Sequence, residues 1–324
     1  MRIKKLKIFS LLNTFFYLFF YLFLCLFLFA FVNVVNAETE NKNDIKSDNK
    51  PENKTIKINV HVSYSLSEVV KEAAENFKQI YLKDNAKNDK KIDFEFNFFV
   101  NSNSMLLSKI AKDNQNFDLL FCDSQKISQI AIQKNLIHQN FAFLSDSVWV
   151  VVSKNLAKIP HNINELQDFH IHKILISQAE DDKIFKYIKN LFKQQENYKT
   201  WSVLQDQQNK IFYTTSSIQN LELLSNNQAD ASFALLSEAT QFIDKDKLQI
   251  AFEIDLGNYV INYFSAVNVN KDYQKDDNTK QQYEIMQSFL DYLQNPDNKN
   301  YESFAKIYKK YGYQEAKQEI LQVQ

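Results

Sequence analysis

An α/β fold built on mixed, mainly parallel sheets is what this sequence predicts, and three observations predict it. From residue 56 onward, short runs rich in β-branched and aromatic residues alternate with segments of helical period. The helical segments are amphipathic, most plainly at 66–81, where Leu66, Val69, Val70, Ala73, Phe77 and Ile80 form one apolar stripe. Hydroxyl- and amide-rich junctions follow several strand-like runs, where a parallel sheet passes its chain to a covering helix.

In chain order, the strand-like runs are 56–62, 93–99, 117–122, 148–152, 173–176, 211–213, 229–234, 248–252 and 260–267. Helices are expected at 66–81, 105–113, 126–134, 182–192, 218–226, 283–293 and 301–311. Ahead of these elements lies a different kind of sequence. Arg2, Lys4, Lys5 and Lys7 precede a long apolar run that ends at Val35-Asn36-Ala37, the charge pattern and small-residue cleavage site of an export signal. The run is also long enough to span a bilayer, so a cleaved signal and an uncleaved anchor are both open. Either places the rest of the chain outside the cytoplasm, in the periplasm. Cys25 sits among Leu24, Leu26 and Phe27, without the small residue that a lipidated cysteine needs before it. Residues 38–55 are charged, nearly free of apolar side chains and read as a disordered spacer.

Composition excludes several functions. Setting aside residues 1–37 removes four basic residues and no acidic one, which leaves 34 basic against 39 acidic, a net charge of −5. A nucleic-acid reader needs the opposite balance. Gly257 and Gly312 are the only glycines, so glycine-rich phosphate loops and the nucleophile elbow of hydrolases are out of reach. Arg2 is the only arginine, so no guanidinium outside the apolar leader clamps a carboxylate or phosphate. Cys122 is the only cysteine beyond that leader; it closes an apolar strand and reads as a small buried residue. His170 and His172 share one face of an extended stretch, but no third ligand stands nearby and a surface strand accounts for them. No nucleophile–base pair of interpretable spacing is present, so an enzyme is not expected.

Ligands of parallel sheets bind beyond the carboxyl ends of strands, where helices begin. That directs attention to Tyr64-Ser65-Leu66-Ser67-Glu68, Asn101-Ser102-Asn103-Ser104 and Thr214-Thr215-Ser216-Ser217. Each offers hydroxyls and free N–H groups at a helix start, an anion seat by its partial positive charge. Each is also an ordinary cap, with Ser65 and Glu68 spaced as a capping box.

At these junctions the chain resembles the molybdate-binding receptors of bacterial ABC transporters. Ile56-Lys57-Ile58-Asn59-Val60-His61-Val62-Ser63-Tyr64-Ser65-Leu66 is similar to their opening strand, which ends in an Ala-Ala-Ser-Leu turn. Phe117-Asp118-Leu119-Leu120-Phe121-Cys122-Asp123-Ser124-Gln125-Lys126 resembles their Ala-Asp-Leu-Phe-Ile-Ser-Ala-Asp-Gln-Lys segment, with Asn135-Leu136-Ile137 following. Ala229-Asp230-Ala231-Ser232-Phe233-Ala234 resembles a later strand, and Phe304 through Tyr311-Gly312-Tyr313 resembles their terminal Phe-x-x-Tyr-Gly-Phe helix end. Gly312 there also reads as a left-handed helix stop.

The resemblance implies a two-lobed periplasmic binding protein fold of type II. Lobe I would hold 56–142 plus 258–316, lobe II would hold 143–257, and 317–324 would be a tail. It implies a monomeric receptor without a cofactor, which binds molybdate or tungstate through neutral donors and delivers it to permease subunits at the inner membrane. Ser65 falls on the family's first oxyanion-binding serine. Asn103 falls on the second, with Ser102 and Ser104 one residue to either side, and Ser217 falls where the family uses a backbone N–H. Two positions depart. Gln178-Ala179-Glu180-Asp181-Asp182-Lys183 replaces a Pro-Ala-Gly loop, and Leu235 replaces a ligand-binding tyrosine, for which Tyr64 is a substitute donor. These departures leave two further readings open: the same scaffold with another solute, or an envelope-anchored interaction protein whose cleft has degenerated.

Overall fold

The computed structural model of the chain describes residues 55–86, 92–112, 117–178, 183–193, 195–207, 210–243, 245–255, 261–295 and 302–316. All of them lie in one unit, Asn53–Gln324. The expected signal, the spacer up to residue 54, the tail and Gly257 are outside the described residues, as are residues 179–182 of the departing loop.

Two mixed sheets organise the chain. In the first, β1 (Ile56–Ser63), β2 (Phe94–Asn101) and β3 (Leu119–Cys122) run parallel, with β1 between the other two. Beyond β3 come three antiparallel strands, β10 (Ile261–Val267), β4 (Phe141–Asp146) and β11 (Gln314–Glu315), giving the order β11-β4-β10-β3-β1-β2. In the second sheet, β6 (Ile174–Ser177), β7 (Ile211–Thr214) and β8 (Ala231–Leu235) are parallel. There β5 (Val148–Ser153) and β9 (Leu248–Glu253) complete the order β7-β6-β8-β5-β9, both antiparallel to their neighbours. Parallel pairing is therefore confined to β2-β1-β3 and β7-β6-β8, and it is in these blocks that a strand end leads into a helix.

Helices cover both faces of each sheet. On one face of the first, α1 (Ser67–Ala86) and α8 (Asp277–Gln294) meet through aromatic rings, Phe77 and Phe289 having centroids 5.2 Å apart. Phe121 reaches the same cluster from β3, 6.0 Å from Phe289. The aromatic excess of the sequence thus fills a core between helix and sheet. On the other face, α2 (Asn103–Ala111) and α3 (Gln125–Gln133) bury Leu106, Ile110, Ile127 and Ala131 against Leu120 and Cys122. The second sheet carries α4 (Lys183–Leu191) and α5 (Gln195–Asp206), locked by stacked Phe192 and Trp201 rings. It also carries α6 (Ser217–Ser225) and α7 (Leu236–Ile243), which bury Leu221, Leu224 and Ala239. A last helix, α9 (Glu302–Lys310), packs on α1.

Four elements were not expected from sequence. β4 lies just ahead of the strand expected at 148–152, which is β5, and only Ser147 separates the strand of one sheet from that of the other. α7 starts directly after β8, so Leu235-Leu236 hides the boundary between strand and helix. α5 has a weak stripe that acquires meaning only against Phe192. β11 is two residues long and exists through its pairing with β4.

Candidate functional site

In the first sheet, the carboxyl ends of β2, β1 and β3 lie side by side, with Ser63 opposite Asn101 and Val62 opposite Phe121. The turns after these strands therefore form one edge. The Ser63 hydroxyl donates to Asn103 Oδ1 at 3.1 Å and accepts from the Asp123 backbone N–H at 3.3 Å, tying all three turns together. Ser102 caps α2 by accepting from Met105 N at 3.3 Å, and its hydroxyl lies 3.0 Å from that of Ser104. Tyr64 is exposed at 78% of its surface, beside the edge and open to solvent.

Ser65 corrects the capping-box expectation. It lies inside a short 3-10 turn, Tyr64–Leu66, and its hydroxyl donates to Asp123 Oδ2 at 2.7 Å instead of capping α1. Glu68 turns to Lys71 at 2.9 Å and accepts from Ser67. The contact with β3, brought next to β1 by the sheet, takes the Ser65 proton away from the local cap. Asp123 Oδ1 is buried and has no partner among the described residues.

In the second sheet, the ends of β6, β7 and β8 form the corresponding edge. Ser216 caps α6, accepting from Gln219 N at 3.1 Å, and Ser217 is buried at the first position of the helix. Thr214 donates to Asn220 Oδ1 at 2.5 Å. Asn220 Nδ2 and the hydroxyl of Ser177, which is opposite Thr214 in register, are fully buried donors without partners among the described residues. Leu235 closes β8 as a buried apolar side chain.

The two edges meet at Tyr313. Its hydroxyl donates to the Ser65 carbonyl at 2.7 Å, and the same hydroxyl oxygen is hydrogen-bonded to the Ser237 side chain at the start of α7. Burial, and after it the Asp146 carboxylate, push the Tyr313 hydroxyl well above the usual phenol range, so it stays a proton donor. Asp146 ends β4 where the chain crosses between sheets. It accepts from the Ser237 hydroxyl at 2.5 Å, the Tyr263 hydroxyl at 2.9 Å and the Ser147 N–H at 2.9 Å. Burial pushes its carboxyl up to about 6 despite these bonds.

The structure thus brings Ser65, Asn103, Ser102 and Ser104 to one edge and places Ser217 on the other. Sequence reading missed Asp123, Ser177, Asn220, Ser237 and Tyr313. Asp123 alone had a signal, a carboxylate where the related segment has alanine; the others depend on contacts far along the chain. The histidine pair is not on a strand. His170 and His172 flank buried Ile171 in the loop before β6, and the His172 N–H donates to Asp230 at 2.7 Å. Cys122 is buried beside Ser128, as expected.

Comparison with known proteins agrees with this architecture. The substrate-binding domain of a candidate molybdenum ABC transporter from Clostridium difficile superposes with a TM-score of 0.60 at 18% identity, over 81% of this chain and 100% of that one. The periplasmic molybdate-binding protein of Azotobacter vinelandii gives a TM-score of 0.51 at 13% identity, over 80% of this chain and 100% of that one. A tungstate-binding protein from Desulfovibrio alaskensis gives 0.50 at 11%, over 74% and 91%. At these identities the likeness is one of fold. No curated protein sequence matches the chain. The model of the bacterial extracellular solute-binding protein family matches residues 58–314, and the chain belongs to that family.

Proposed function

We propose that this chain is the receptor of a bacterial ABC importer and captures a small tetrahedral oxyanion between its two strand-end edges. The two sheets are the cores of the two lobes, 56–142 with 258–316 and 143–257, except that residues 143–146 of the second range close β4 and pair in the first sheet, so the crossing falls at Ser147. Ser65, Asn103, Ser102, Ser104 and Tyr64 line one side, and Ser217 the other. The observation that carries the reading is the second edge, where the buried donors of Ser177 and Asn220 lack partners among the described residues, beside the first turn of α6. Unpartnered buried donors are costly and uncommon, and an acceptor-rich ligand at a helix N-terminus satisfies them. Molybdate and tungstate are the oxyanions that the sequence resemblance implies, and two structural relatives are a molybdate-binding and a tungstate-binding protein. Binding is reversible and without covalent chemistry. The receptor works in the periplasm and hands its solute to a permease.

Leu235 favours a second reading, another small solute on the same scaffold, because it supplies no hydroxyl where the related receptors use one. A thermal shift with molybdate, tungstate, sulfate and phosphate separates the two. A ligand held by the folded state at 100 times its dissociation constant adds about 2.7 kcal/mol. For a chain of this size that moves the midpoint by roughly 2–4 °C per kcal/mol. A shift with any oxyanion supports the first reading; no shift with any of the four leaves the second.

A further inference from the structure

We infer that the first edge selects an oxyanion that still carries a proton at neutral pH, of the monohydrogen phosphate kind, over fully ionised tetrahedral dianions. The inference rests on the oxyanion reading above and goes on to name the class. A serine hydroxyl has one proton to give. Ser65 gives it to Asp123 Oδ2 at 2.7 Å, so towards a ligand it presents lone pairs. Asp123 Oδ1 is buried beside it, has no partner among the described residues, and as a carboxylate oxygen only accepts. The pair is therefore an acceptor face and asks the ligand for a donor.

The arrangement is fixed from several sides. The Asp123 N–H donates to the Ser63 hydroxyl, and the Tyr313 hydroxyl holds the Ser65 carbonyl at 2.7 Å. An oxyanion oxygen that hydrogen-bonds Ser65 lies within two hydrogen-bond lengths of the Asp123 carboxylate. There a proton on the ligand turns a charge repulsion into a charge-assisted hydrogen bond to the carboxylate. Ser177, Asn220 and the first turn of α6 on the opposite edge remain donors for the oxygens that carry no proton.

Phosphate and sulfate have nearly the same size, and at neutral pH phosphate retains a proton that sulfate lacks. Titration calorimetry of the wild-type protein with phosphate, arsenate, sulfate, molybdate and tungstate tests the inference. Phosphate and arsenate are expected to bind at least about tenfold more tightly than the other three. Asp123→Asn, with its fold checked by circular dichroism, replaces one acceptor by a donor. It is expected to shift the phosphate-to-sulfate ratio by about tenfold or more towards sulfate. Equal or tighter binding of molybdate or sulfate by wild type, with a ratio unmoved in Asp123→Asn, overturns the proton selection and leaves the oxyanion reading standing. Absence of binding for all five anions overturns both.

Discussion

Ser65 shows how a single side chain changes meaning between sequence and structure. In sequence it is a cap with Glu68 three residues on; in the fold its proton goes to a carboxylate 58 residues away. Gly312 is the opposite case, a residue whose role is visible at both levels. It follows α9 with φ at +78°, a left-handed conformation that glycine adopts without strain. The fold adds a second constraint: a Cβ there would collide with Thr240 Oγ1 and stand 2.8 Å from the Leu236 carbonyl on α7. Gly312→Ala should therefore lower unfolding free energy by about 2 kcal/mol or more, from backbone strain and overpacking together. Urea denaturation reads this directly, and a loss below half that figure would show that the α9–α7 contact yields easily.

At the scale of elements, the helices other than α5 and α7 were legible because their apolar stripes are strong, and several starts carry hydroxyl or carboxylate caps. Ser102, Ser216 and Asp276 all accept from backbone N–H groups as caps do. With so few glycines, the chain also uses asparagine for left-handed positions after helices, Asn135 and Asn227 both having φ of +56°. The cap of α6 also frames the candidate site, so its removal has two consequences. Ser216→Ala should cost about 1 kcal/mol of stability, the usual worth of an N-cap. If the proposed oxyanion site is right, it should also weaken oxyanion binding, because the freed N–H groups at the helix start lose their fixed direction. A stability loss with unchanged affinity, measured by calorimetry on the same preparation, would remove α6 from the site.

For the molecule as a whole, the decisive segment is the crossing from β4 to β5, where Asp146, Ser147 and Val148 pass from one sheet to the other. Asp146 binds Ser237 at the start of α7 and Tyr263 on β10, so it joins elements of both sheets at the crossing. Its carboxyl is raised to about 6, from an ordinary value of 3.8. A group raised in the folded state binds protons there before it does in the unfolded chain. Its contribution to stability therefore grows as pH falls through 6 towards 4, and is lost as pH rises back through that window. Glu68 and Glu72, held low first by hydrogen bonds from Lys71 and Lys310, act in the opposite direction at lower pH. Comparing urea midpoints at pH 7 and pH 5 in wild type and Asp146→Asn isolates the effect. Wild type should gain relative to the variant on acidification, and equal changes in both proteins would show that Asp146 does not titrate in this range.

Local pattern determined the alternation of strands and helices, the buried Cys122, the helix stop at Gly312 and the exclusion of nucleotide loops and guanidinium clamps. These follow from side-chain period, capping chemistry and composition, which act over a few residues. Only the tertiary structure decided that β4 and β5 serve different sheets, that β11 exists, and that Ser65 faces Asp123. It alone placed Ser177 and Asn220 at one edge without partners among the described residues. Tertiary packing brings together residues 40 to 248 positions apart, such as Ser63 with Asn103 and Ser65 with Tyr313. A hydroxyl with one proton gives it to whichever acceptor that packing brings nearest.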